Sequence, residues 1–164
     1  MIRLNYVCKI VLIILVFFIA SCVPKKVNQE LTTEQKFIEN SIRTWKSIDI
    51  AADALYSIFG ELYKHDVIGD DERDILIKIG TPLASTLTIT KASIETYLLA
   101  VQTNEGVESA HQKVMNSLML AVHLFHNVKD EVERIYKFST GREISLPEIN
   151  IFPELEESIN LEVK

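Results

Sequence analysis

Glycine is scarce in this chain, with five in 164 residues. They are scattered singly, so no glycine-rich loop can present a run of backbone N–H groups to a phosphate. Cysteine is scarcer still. Cys8 and Cys22 are the only two, which excludes a disulfide framework or a cysteine-rich zinc site in the body of the chain. With four prolines, long stretches are left free to form helix. Basic residues are also short: 17 Lys and Arg stand against 23 Asp and Glu, a net charge of −6. That balance argues against nucleic acid as a partner, because its binding rests on neutralising phosphates with Lys and Arg. No G-x-S-x-G nucleophile elbow is present. The longest uncharged apolar run, residues 10–20, is about half the roughly 20 residues a membrane-spanning helix needs. Extending it to residues 6–23 brings Lys9 inside.

What is present begins at the N-terminus. Arg3 and Lys9 precede the apolar run, and Ala20 and Ser21 are small. A basic start, a short apolar core and small residues are the marks of a secretory signal. Cys22 follows at once, and Ile19-Ala20-Ser21-Cys22 resembles the lipobox of bacterial lipoproteins. The resemblance covers residues 1–22. It implies a diacylglyceryl thioether on Cys22, cleavage between Ser21 and Cys22, and acylation of the new amine. Two or more acyl chains anchor a protein stably, whereas one does so only marginally. Val23 stands where an aspartate would retain such a protein in the inner membrane. This favours the periplasmic face of the outer membrane in a two-membrane envelope, and the outer face of the cell membrane otherwise. The residues themselves leave open an uncleaved N-terminal anchor or a secretory signal cut elsewhere. Cys8 would leave with the signal, so the mature chain has no intramolecular disulfide and its fold must hold by packing.

The expected organisation is a signal peptide over residues 1–21 and a lipidated cysteine with its tether over 22–33. A helical domain over 34–141 and a C-terminal tail over 142–164 follow. The tether carries Pro24 and few apolar anchors, and fully extended it spans at most about 35 Å. Lys25-Lys26 reads as solvated linker or as a contact for anionic headgroups.

The spacing predicts three long helices. Thr32-x-x-Gln35 matches a capping box, and Ile38, Ile42, Trp45, Ile48, Ala52, Leu55, Phe59 and Leu62 form one helical stripe. This first helix is expected to run to about His65 and stop before Gly69. Asp70 is placed to cap the second helix, with Asp71, Glu72 and Asp74 at its positive end. Ile75, Leu76, Ile79, Leu83, Leu87, Ile94, Leu98 and Val101 continue it, with a kink expected near Gly80-Thr81 because Pro82 lacks an N–H. Residues 102–106 read as a polar turn. The third helix has the cleanest stripe, Val107, Val114, Leu118, Ala121, Phe125, Val128, Val132 and Ile135, and is expected to end before Gly141. Short turns make neighbouring helices antiparallel. The expected fold is therefore all-α, an up-down-up three-helix bundle. Its tail is apolar at Ile144, Leu146, Ile149, Ile151 and Phe152 and reads as packed on the bundle or as a partner-binding segment. A short helix is expected over residues 154–160.

Catalytic signals are thin. Glu108-x-x-His111 is one half of the ligand pattern of di-iron bundles, and the second half is absent. His123, His126 and Asp130 have metal-ligand spacing on one helix. The apolar stripe nevertheless turns His123 away from the core and His126 to its flank, which reads as solvated histidine. Asp49 and Asp53 stand one turn apart, a spacing open to acid–base work, but they fall off the stripe and read as an acidic face. Trp45, Tyr56 and Tyr63 read as core or boundary residues rather than a ligand cage. The threonines and serines of the second helix are the candidate lining of a small-ligand pocket near Pro82.

Residues 63–73, Tyr-Lys-His-Asp-Val-Ile-Gly-Asp-Asp-Glu-Arg, with the later Ile94-Glu-Thr-Tyr97-Leu, look like helical-hairpin proteins of phages and bacterial genomes. The likeness spans about a third of the chain and implies no activity. The expected function is a non-enzymatic, lipid-anchored envelope protein without a cofactor, which binds a protein partner or itself. The alternatives are a small-ligand or metal-binding bundle, and a phage- or prophage-encoded exclusion or lysis accessory.

Overall fold

The computed structural model describes residues 31–162, with side chains to Ile159. The lipobox, Cys22, Lys25 and Lys26 lie outside the described residues. Four helices follow: α1, Thr33–Lys64; α2, Asp70–Thr103; α3, Val107–Thr140; and α4, Pro153–Glu162. No strand occurs among the described residues. The three long helices pack on one another, most extensively α2 on α3.

The helix ends follow local hydrogen-bond chemistry. At the start of α1 the Gln35 N–H donates to Thr32 Oγ1 at 3.2 Å, and the Thr32 N–H donates to Gln35 Oε1 at 2.9 Å. This is the expected capping box. The cap of α2 is Gly69 and not Asp70. Glu72 reaches back to accept from the Gly69 N–H at 3.0 Å. Asp70 sits inside the helix and accepts from the Tyr63 hydroxyl instead, at 2.9 Å. Gln102 and Thr103, expected in the turn, belong to α2. Its end comes at Asn104, which takes the left-handed conformation at φ 57° and donates its N–H to the Ala100 carbonyl. Asparagine tolerates that region better than most residues. α4 begins at Pro153, one residue earlier than expected, since proline suits the first helical position.

Helix α2 runs unbroken through Gly80 and Pro82. Pro82 is exposed, so its ring points to solvent. Nearby hydroxyls turn inward onto the helix's own carbonyls: Thr81 to Ile77 at 2.8 Å, Thr88 to Ala84 at 3.2 Å, Thr96 to Ala92 at 2.8 Å and Thr103 to Leu99 at 3.1 Å.

The core lies along the α3 stripe. Val114, Leu118, Ala121, Phe125, Val128, Val132 and Ile135 are all buried, facing Ile48, Ala52 and Leu55 of α1 and Leu76, Leu83, Leu87 and Ile94 of α2. Each such Leu, Ile or Phe contributes roughly 1.5–3 kcal/mol. On α2 two expected stripe members, Ile75 and Leu98, are 42% exposed. Tyr97 takes the inward place beside Leu98, and Thr86 and Thr90 are buried between the leucines. Burial of Thr90 is permitted because its hydroxyl donates to the carbonyls of Thr86, at 2.8 Å, and Ser117, at 3.2 Å. Ser41 has no such outlet: its buried hydroxyl has no partner, a defect that typically costs about 1–3 kcal/mol.

Two aromatic side chains stitch α1 to α2. Trp45 Nε1–H donates to the Leu87 carbonyl at 3.0 Å, and the Tyr56 hydroxyl to the Gly80 carbonyl at 2.9 Å. Beyond α3, Leu146, Phe152 and Leu155 are buried. The Asn150 N–H donates to Ser47 Oγ at 2.8 Å, and Lys129 pairs with Glu148 at 2.7 Å.

The Tyr56 ring crowds Gly80. A Cβ there would lie 2.9 Å from a ring carbon, whereas at Gly60 it would meet nothing within 4 Å. Alanine gains about 1 kcal/mol of helix propensity over glycine, while overpacking costs about 1–3 kcal/mol. Gly60→Ala is expected to stabilise the protein by up to about 1 kcal/mol, and Gly80→Ala to destabilise it on balance. Urea denaturation of both variants checks this. An equal gain at the two positions would show that Tyr56 does not lie on Gly80.

Candidate functional site

The start of α1, the latter part of α2, the start of α3 and the segment that opens α4 all contribute side chains to one site. A cleft of about 440 Å³ lies between them, lined by Thr33, Glu34, Lys36, Phe37, Asn40, Tyr97, Val107, Glu108, His111, Met115, Phe152 and Glu154. The capping box fixes the first turn of α1, and Phe37 follows at the start of its second turn. Phe37 is the hub of a ring cluster. Its centroid lies 4.1 Å from His111, 5.1 Å from Tyr97 and 5.9 Å from Phe152, the last two edge to face. Edge-to-face pairs of this kind set the negative face of one ring against the positive edge of the next.

Three helix N-termini open toward the cleft, and each carries a glutamate in its first turn: Glu34 on α1, Glu108 on α3 and Glu154 on α4. A carboxylate there complements the partial positive charge of the free N–H groups. The Glu34 carboxyl is held below the usual glutamate range, first by its own backbone N–H and then by the Thr32 hydroxyl. Tyr97 is 3% exposed. Burial pushes its hydroxyl above the ordinary tyrosine range, and the nearby charges of Glu34 and Glu108 add to the effect. That hydroxyl makes no hydrogen bond among the described residues.

Of the catalytic or metal-ligand candidates read in the sequence, Glu108 and His111 line this cleft. His123, His126 and Asp130 do not. All three are exposed. His123 Nε2 lies 3.2 Å from the Asn127 amide, and His126 lies edge to face with Phe125. Among the described residues no three His, Cys, Asp or Glu side chains are grouped to hold a metal ion. Asp49 and Asp53 share a shallow groove of about 300 Å³ with Trp45, Tyr56 and Lys91. In that groove Lys91 already sits over the Trp45 ring, 6.0 Å from its centroid. Tyr63 lies in the last turn of α1, with the Arg73 guanidinium of α2 5.0 Å over its ring. The Thr81 and Thr88 hydroxyls bond their own helix, and the recess at Gly80 and Thr81 is an open one of about 210 Å³ against Tyr56 and Phe59.

Sequence reasoning missed Phe37, Tyr97 and Phe152 as one cluster. Each reads alone as a core aromatic, and their separation in the chain hides the pairing. The Glu108-x-x-His111 spacing was the one visible signal at this end. Comparison with family models, curated proteins and solved structures finds no match to the chain.

A tyrosine with a raised folded-state value contributes stability that is fully present below its unfolded value of about 10 and is lost as pH rises through the folded value. Both Tyr97 and Tyr56 are of this kind, Tyr56 through burial and then Asp53. Tyr97→Phe is therefore expected to remove a late-ionising phenol from an ultraviolet titration and to flatten the alkaline loss of stability. Loss of an ordinarily titrating phenol instead would mean that Tyr97 is not buried beside Glu34 and Glu108.

Proposed function

We propose that the chain is a membrane-anchored envelope lipoprotein whose helical bundle is a non-enzymatic binding module. Cys22 carries the lipid after cleavage behind Ser21. Val23 directs the protein to the periplasmic face of the outer membrane in a two-membrane envelope, or to the outer face where there is one membrane. The observation that supports a binding role is the ring-lined cleft at the start of α1. Thr33 follows Cys22 by about eleven residues, so the tether reaches at most about 35 Å and keeps the domain close to the membrane. The partner is a small ligand, another envelope protein or a second copy.

We read the bundle as up-down-up, with the tail laid along it. Contacts that retreat along α2 as α1 advances support this: Phe37 with Tyr97, Trp45 with Leu87, and Tyr56 with Gly80. The buried Leu146, Phe152 and Leu155 support the place of the tail.

Two experiments test the reading. In Cys22→Ala, labelled palmitate is expected to be absent from the protein, and the protein to leave the membrane fraction or stall as precursor. Equal labelling of variant and wild type would end the lipoprotein assignment. For the tail, Leu155→Ala is expected to cost about 2–5 kcal/mol in urea denaturation, the range for a leucine truncated inside a core. A change within the small range typical of surface substitutions would place Leu155 outside the core.

A further inference from the structure

We propose that the cleft at the joined helix ends binds an organic ammonium ion carried on an apolar stem. This names the ligand class of the binding module proposed above and rests on that reading. Three separate observations lead to it. The first is Tyr97, which is 3% exposed and lines the cleft, while its hydroxyl finds no partner among the described residues. Its oxygen is placed to accept a hydrogen bond from an ammonium N–H held in the cleft. The second is the ring cluster around Phe37, with Val107 and Met115 beside it. It offers contact for an apolar stem and negative ring faces for a cation. The third is the balance of charge at the rim.

That balance has two opposing parts. Three helix N-termini alone would favour an anion, each presenting about half a positive charge. Each is overlaid by a whole carboxylate, from Glu34, Glu108 and Glu154, so each end keeps a net negative remainder. Lys36 is the one lysine or arginine in the lining. It is exposed and opposes the bound cation. A cleft of about 440 Å³ lies within the usual range for small-molecule sites and accommodates a short alkyl or aryl amine.

The test is calorimetric titration of the full chain in detergent, against matched empty micelles, with n-hexylammonium, n-hexanol and n-hexanoate as probes. Hexylammonium is expected to bind about tenfold or more tightly than either control, a difference that corresponds to about 1.4 kcal/mol. Glu108→Gln is expected to weaken it by a similar factor, Tyr97→Phe to weaken it several-fold, and Lys36→Gln to tighten it, each with an unchanged circular dichroism spectrum. A short-chain phosphatidylethanolamine serves as a further arm: binding at least equal to that of hexylammonium assigns the ammonium to a lipid headgroup, and weaker binding assigns it to a soluble amine. Equal affinity for hexanol would reduce the cleft to an unselective apolar groove. Preference for hexanoate would mean that the helix ends prevail over the carboxylates. Absence of hexylammonium binding to folded protein would likewise overturn the proposal. None of these outcomes alters palmitate labelling at Cys22, so failure here is distinct from failure of the anchor.

Discussion

Burial of the α3 seam is the constraint on which everything else in the bundle depends. No cysteine follows Cys22 in the sequence, so no disulfide braces the helices, and the described residues hold no grouped metal ligands. Seven consecutive seam positions, from Val114 to Ile135, are at most 2% exposed. They lie between α1 and α2 and make those two helices share one interior. Surface ion pairs such as Arg43–Glu39 and Arg134–Glu131 decorate the outside, and exposed pairs of this kind contribute at most about 1 kcal/mol each. Each large side chain of the apolar seam is worth roughly 1.5–3 kcal/mol. The stitching bonds of Trp45 and Tyr56 then fix how α1 and α2 lie against it.

The α3 seam was legible in the sequence because its residues are aliphatic or aromatic at an unbroken spacing of threes and fours. On α1 the capping box marked the start and Ile48, Ala52 and Leu55 proved buried, while Ser41 and Thr44, which read as polar, are buried beside them. The pattern of α2 was legible only in part, and for a physical reason. Threonine reads as polar, yet Thr90 satisfies its hydroxyl on two backbone carbonyls and packs its methyl inward. Leu98, which reads as core, is displaced outward because Tyr97 occupies the interior place. Polarity counted by residue type therefore misplaced one turn of that helix. The ends of α2 shifted for a local reason as well: Glu72 reaching back to Gly69 made the glycine the cap that Asp70 was expected to be.

The cleft was legible only as fragments. Its rings come from α1, α2, α3 and the approach to α4, and no periodicity links Phe37 to Phe152 across the chain. Glu34, Glu108 and Glu154 each look like ordinary first-turn acids when read alone. Only the shared cleft turns them into a rim of carboxylate, with Tyr97 in its lining. His123, His126 and Asp130 gave the more conspicuous spacing in the sequence. Because they sit on the outward side of a helix whose other face is the core seam, the spacing brings them to solvent instead of to a site.

The inward-turned hydroxyls of α2 have a consequence for hydration. At Thr81, Thr88 and Thr96 the oxygen is engaged with the preceding turn, so solvent meets mainly methyl groups there. Ala84, Ile89 and Ala92 continue the same exposed side, and from Thr81 to Thr90 the sequence carries no charge. Water on this side of the helix is held by few strong donors or acceptors. Shedding it costs less than shedding the water bound to exposed lysines and glutamates elsewhere on the bundle, so this side of α2 is the more weakly wetted.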